Sequence, residues 1–67
     1  MGLLNAQRVQ MSLKNAGVYQ GPVNGLIGRR TQQAVKRFQK LRGFEPTGTV
    51  DPITRQALLP YLANLAR

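Results

Sequence analysis

The chain has 67 residues, with no cysteine and no histidine. It is one small domain, able to bury only ~60% of its unfolded surface, with no disulfide to staple it and no Cys/His zinc site. Ten Lys/Arg against two acids, Glu45 and Asp51, give a formal charge of +8, a balance that suits nucleic acid, anionic lipid or an acidic cell-wall polymer, unless it only keeps a small module soluble.

The first helix is expected over residues 6–16, with Asn5 as its cap. Ala6, Val9, Leu13 and Ala16 recur at helical spacing and form one stripe. Gln7, Arg8, Gln10, Ser12, Lys14 and Asn15 are assigned to the other sides, with Met11 off the stripe. Gly17 supplies the left-handed residue that ends a helix. Residues 18–27 read as a loop. Gly21-Pro22 fixes one bend, and Asn24-Gly25 is a strong turn signal because both residues tolerate positive φ. Val18, Tyr19, Val23 and Ile27 are the candidates to close the open end of the core.

The second helix is expected from Arg29 or Arg30 to Arg42. Its inward set is Thr31, Ala34, Val35, Phe38 and Leu41; Arg30, Gln32, Gln33, Lys36, Arg37, Gln39 and Lys40 face outward. Lys40 and Arg42 suit the negative end of the helix dipole, and Gly43 terminates it. Residues 44–50 form a second loop, punctuated by Pro46 and Gly48, with Phe44 directed back to the core. The third helix has Asp51 as N-cap, Pro52 at its first position and Thr54 in its first turn. Ile53, Ala57, Leu58, Tyr61, Leu62 and Leu65 form its inward stripe. Pro60 removes a backbone bond and is expected to bend or divide the helix near Leu59, with residues 61–66 as a helical tail.

Residues 24–39 and 47–62 are copies at an offset of 23 positions. Gly25 pairs with Gly48, Ile27 with Val50, Thr31 with Thr54, Gln33 with Gln56, Ala34 with Ala57, Val35 with Leu58 and Phe38 with Tyr61. The reading is two turn-plus-helix units packed on each other, with Ala34 and Ala57 letting the second and third helices approach closely. The fold class is all-α: a compact three-helix bundle with two ordered Gly/Pro loops and a pseudo-repeat of turn-plus-helix units, in a single domain over 1–67.

Catalysis has little support. Glu45 and Asp51 are the only carboxylates, and Asp51 is better explained as a cap. Without His or Cys the common acid–base and nucleophilic arrangements are missing. Thr31 and Thr54 read as first-turn anchors, and Gly25 with Gly28 make no Walker pattern. No cofactor or metal is expected.

The run Asn24-Gly25-Leu26-Ile27-Gly28, then Thr31, Ala34-Val35 and Phe38-Gln39, resembles the peptidoglycan-binding domain 1 family. The family's second half falls on Gly48, Val50, Thr54, Ala57 and Leu58, and its first-helix signature on Val9, Gln10, Leu13 and Gly17. The resemblance covers about residues 5–62. Asn24 stands where the family usually has Asp, and Ile27 where an aromatic is usual. The resemblance implies a non-catalytic three-helix module that binds peptidoglycan and targets an attached or partner wall-lytic enzyme, of bacterial or phage origin.

A peptidoglycan site needs groups for stem-peptide carboxylates and for a polar glycan. Arg forks grip carboxylates, Tyr faces pack on sugars, and the amino end of a helix favours anions. Tyr19, Gln20, Asn24, Arg29, Arg30 and Gln33 are therefore the candidate ligand-binding residues; the plain alternative makes Tyr19 core and the arginines solvated. The other readings are a nucleic-acid-binding module, with Arg29, Arg30, Lys36, Arg37, Lys40 and Arg42 tracking phosphates, and a protein-interaction module on the same scaffold. Long Gly/Pro loops, in place of a short helix-turn-helix connection, weigh against nucleic acid. No apolar run approaches the ~18 residues of a membrane span, and no signal peptide is evident, so export by another route or membership of a longer chain is expected. The expected place is the cell envelope, periplasmic or extracellular, or a phage lysin acting on the wall, and the expected state is a monomer.

Overall fold

Stripe and stop signals together place the helices. In a computed structural model describing residues 6–63, α1 spans Ala6–Asn15, α2 Arg29–Leu41 and α3 Pro52–Ala63. No strand occurs among the described residues. The Asn5 cap, Leu65 and the tail beyond residue 63 lie outside them.

α1 and α2 end in the same way. The Gly17 N–H donates to the Lys14 carbonyl (3.0 Å) and the Val18 N–H to the Leu13 carbonyl (3.1 Å). In α2 the pairs are Gly43 to Lys40 (3.1 Å) and Phe44 to Gln39 (2.7 Å). These are Schellman ends, which match the last carbonyls of a helix before the chain turns. α3 begins as its sequence implies: the Thr54 N–H donates to Asp51 Oδ1 (2.8 Å). Pro60 does not divide α3. The carbonyl it leaves unpaired belongs to Gln56, an exposed residue that water can reach.

The core joins Val9 and Leu13 of α1, Tyr19 of the first loop, Ala34, Val35 and Phe38 of α2, and Leu58 of α3. Phe38 meets Tyr61 edge to face, with ring centroids 5.7 Å apart and planes at 86°, a favoured aromatic geometry. Both later helices pack chiefly on α1, α3 most extensively. The two repeated units therefore share α1 as a partner instead of packing mainly on each other, and Ala34 and Ala57 border that shared core.

Two glutamines placed outward by sequence are fully buried. Gln10 is 0% exposed and so is Gln39. Gln10 Oε1 accepts the N–H groups of Asn24 and Gly25 (both 2.9 Å). Its Nε2 donates to the Leu26 carbonyl (2.9 Å), Thr31 Oγ1 (3.2 Å) and Asn24 Oδ1 (3.3 Å). Gln39, 29 positions further on, repeats the pattern. Its Oε1 accepts the Gly48 N–H (2.9 Å), and its Nε2 donates to the Thr49 carbonyl (2.9 Å), Thr54 Oγ1 (3.0 Å) and Thr47 Oγ1 (3.1 Å). Each glutamine thus ties the next turn and the next helix start to the helix before them. The glycines at the clasps have φ of +80° (Gly25) and +81° (Gly48), a conformation costly for any residue with a Cβ.

The clasps also explain two exposed apolar residues that the stripe placed inward. Gln39 and Leu41 flank the α2 stripe on opposite sides. The second loop folds over the Gln39 side to reach its amide, leaving Leu41 71% exposed. In α3 the bond from Gln39 turns Thr54 inward, and Ile53 is left 64% exposed. Ser12, also placed outward, is buried, and its hydroxyl is satisfied within α1 by donating to the Arg8 carbonyl (2.8 Å). Phe44 is half-buried at the edge, beside Ile53, Pro60 and Tyr61.

Replacing Gln39 by Leu keeps the side chain's approximate size but orphans the Gly48 N–H and removes the amide's bonds to the Thr49 carbonyl, which keeps the Asp51 N–H, and to Thr54 Oγ1. At ~1–3 kcal/mol for an orphaned group, Gln39→Leu should lower urea-unfolding stability by about 1–3 kcal/mol; an unchanged midpoint would contradict the clasp. Asp51 gives a pH signature. Bonds from the Thr54 hydroxyl, and then from the Thr54 N–H, hold its carboxyl below its ordinary 3.8. A pKa depressed on folding contributes stability above the unfolded value and loses it as pH falls through the folded one. The unfolding midpoint of the native chain should therefore drop below about pH 4, and Asp51→Asn should flatten that part of the profile.

Candidate ligand-binding cleft

Arg30, Gln33 and Arg37 recur at three and four residues along α2, so they share a face. All three are exposed, and Ala34 beside them is buried. After the Gly17 turn the chain runs past this face. Residues 17–20 on one side, and Arg30, Gln33, Ala34 and Arg37 on the other, enclose a cleft of about 390 Å³.

Tyr19 forms a wall of that cleft while belonging to the core, at 4% exposure. Its hydroxyl donates to the Pro22 carbonyl (2.7 Å), so it is already engaged. A Cβ on Gly21 would lie 2.7 Å from that hydroxyl oxygen; only glycine leaves room for the ring in this position. Gln20 is exposed at the rim.

Of the six residues expected to bind ligand, the fold brings Tyr19, Gln20, Arg30 and Gln33 to one cleft. Asn24 and Arg29 lie outside its lining. Asn24 Oδ1 accepts the Leu26 N–H (3.0 Å) as well as the Gln10 amide. That bond closes an Asx turn, a role Asn and Asp fill alike. Arg29 is exposed at the first position of α2, behind Gly28, which caps the helix without a side-chain bond. Arg37 was missed as a site residue, although its position seven residues after Arg30 puts it on the same helix face. Val18 and Gly17 were missed because only the folded path of the loop brings them to α2.

The charge in the cleft is uncompensated by protein acids. Neither carboxylate of the chain lines it: Glu45 sits exposed in the second loop and Asp51 caps α3. Two guanidinium groups, two primary amides and the local backbone can bind carboxylates and polar groups. They offer neither a nucleophile nor an acid–base pair. Among the described residues no cluster of three His/Cys/Asp/Glu side chains could hold a metal, and no helix is long and apolar enough to cross a membrane.

Comparison with known proteins gives this arrangement its family. Residues 4–58 match the family described as "Putative peptidoglycan binding domain", and the chain belongs to that family. Among its relatives is a Synechocystis sp. protein described as "Putative OxPP cycle protein OpcA", 43% identical over 51 residues, which cover 76% of this chain and 11% of the relative. An uncharacterized protein of Kitasatospora aureofaciens is 43% identical over 47 residues, 69% of this chain and 40% of that protein. The localization factor PodJL of Caulobacter vibrioides is 39% identical over 56 residues, 84% of this chain and 5% of that protein. The chain thus spans less than half the length of each. No solved structure matches it.

Wall and rim residues of the cleft should differ in their effect on stability. Tyr19→Phe should lower stability by about 1 kcal/mol, the net value of one hydrogen bond. Gln20→Ala and Gln33→Ala, both at exposed positions, should stay within about 0.5 kcal/mol of the parent. Thermal or urea unfolding of the three variants reads this directly, and the reverse order would place Tyr19 outside the core.

Proposed function

We propose that this domain binds bacterial peptidoglycan without acting on it chemically, and that it holds a longer protein, or a partner wall-lytic enzyme, at the cell wall. The observation that carries this reading is the acid-free cleft with Arg30, Gln33 and Gln20 at its rim, in a chain of the peptidoglycan-binding family. Carboxylates of the stem peptide suit the guanidinium forks, and amides suit the peptide and glycan polar groups. The short share of each relative that the chain covers fits a module carried by larger proteins. Its place of action is then the cell envelope, periplasmic or extracellular, or the wall as a phage lysin meets it, with the domain binding as a monomer.

A second reading has its own observation. Arg29, Arg30, Lys36, Arg37 and Lys40 are all exposed along α2, and such a row can track phosphates nonspecifically. One experiment separates the two: a pull-down on purified sacculi stripped of teichoic acid, at low and high salt, with duplex DNA as competitor. Wall binding predicts retention at ~0.3 M salt, where exposed charges are strongly screened, and no competition by DNA. Arg29→Ala with Arg30→Ala should weaken retention while leaving the fold intact, and Arg30→Ala alone should account for most of the loss. Salt-labile binding to sacculi and DNA alike would reduce the interaction to net charge.

A further inference from the structure

The cleft does not end at Arg37. A second cavity of about 360 Å³ adjoins it, lined by Gly17, Val18, Arg37, Lys40 and Leu41. The two share Gly17, Val18 and Arg37, so they lie side by side along α2 with Arg37 between them, and together they make up a groove. Arg30 and Arg37 are seven residues apart, which puts them on one face about 10 Å apart along the helix axis. Lys40 follows about 4.5 Å further on. No acid lines either cavity. Past Arg37 the groove gains an apolar shelf, because Leu41 is exposed beside half-buried Val18.

This order of groups favours one part of the wall polymer over the other. Protein sites for neutral sugars present an aromatic face for the ring to pack on. Tyr19 is the only ring in the groove, and it is buried with its hydroxyl held by Pro22. The groove instead presents separated cations with amides between them. Guanidinium groups bind carboxylates in paired hydrogen bonds, and 10 Å corresponds to about three residues of extended peptide.

We propose that the groove takes an extended acidic peptide bearing two free carboxylates, one received by Arg30 with Gln33 and the other by Arg37 with Lys40, with an aliphatic part of the ligand against Leu41. Within the peptidoglycan reading, on which this rests, the bound part is the stem peptide and not the glycan, and Arg37 sets the preference for free carboxylates over amidated ones. Arg37 discriminates because it lines both halves of the groove and is the one guanidinium in the half lined by Lys40 and Leu41.

The test is an amide-shift NMR titration of the isotope-labelled domain with three probes: a soluble stem peptide with free carboxylates, the same peptide with its carboxylates amidated, and a bare chitooligosaccharide. The free-acid peptide should shift the amides of residues 17–20 and 30–41 and bind about tenfold more tightly than the amidated one, the scale of a charge-assisted contact. Arg37→Gln should remove most of that preference. Arg55→Gln, which deletes the same charge from α3, should keep it. Equal binding of both peptides, glycan shifts in the groove without peptide shifts, or equal effects of the two substitutions would overturn the proposal. Sacculus retention of the parent domain, measured alongside, separates the two levels. Retention without carboxylate preference defeats this inference and leaves the peptidoglycan reading standing; absence of retention defeats both.

Discussion

A primary amide buried in a small core must have its donors and acceptor matched, because each orphan costs ~1–3 kcal/mol and a domain has only about 5–15 kcal/mol in hand. Gln10 and Gln39 meet that condition with partners drawn from one turn and one helix start each. The match fixes several things together. It holds Gly25 and Gly48 in left-handed turns, it sets where α2 and α3 begin, and it sets how each is rotated about its axis. The apolar core around Phe38, Leu13 and Leu58 then closes over helices already oriented by polar bonds.

The two clasped units differ where the cleft lies. Gly25 lies fifteen positions after Gln10, but Gly48 only nine after Gln39. The first connection is thus six residues longer, and it contains residues 17–20, which form one side of the cleft. The helix starts differ too. Asp51 supplies a carboxylate to the start of α3, while the matching residue before α2 is Gly28, which supplies none. The second unit completes its own polar contacts within a short loop. The first presents a longer loop, a basic helix face and a space between them.

Stability and binding are correspondingly assigned to different faces of α2. Thr31, Ala34, Val35, Phe38 and Gln39 are buried, and the cations point outward. Substitutions on the outer face can therefore tune recognition with little effect on folding. Tyr19 is the exception: one ring serves as a core element and as a wall of the cleft, so changes there alter both.

Much of this was legible in the order of residues. Apolar spacing placed three helices, the glycines placed their ends, and the Asp51-Pro52 pair placed the start of α3. The offset repeat and the family motifs pointed to one scaffold, and four of six candidate ligand residues meet in one cleft. Gln10 and Gln39 carry a readable signal, since each directly follows a core residue, Val9 or Phe38, inside a family motif. They were assigned outward because periodicity sorts side chains by polarity and cannot show that a distant turn will satisfy an amide. Leu41 and Ile53 were assigned inward for the same reason. The sequence by itself determined the elements, their stops, the charge and the family. Tertiary structure alone decided which edge of each stripe is covered, that α1 is the shared partner, and that residues 17–20 come to lie against Arg30 and Arg37. Those outcomes depend on hydrogen bonds and cavities between residues far apart in the chain, which local spacing does not specify.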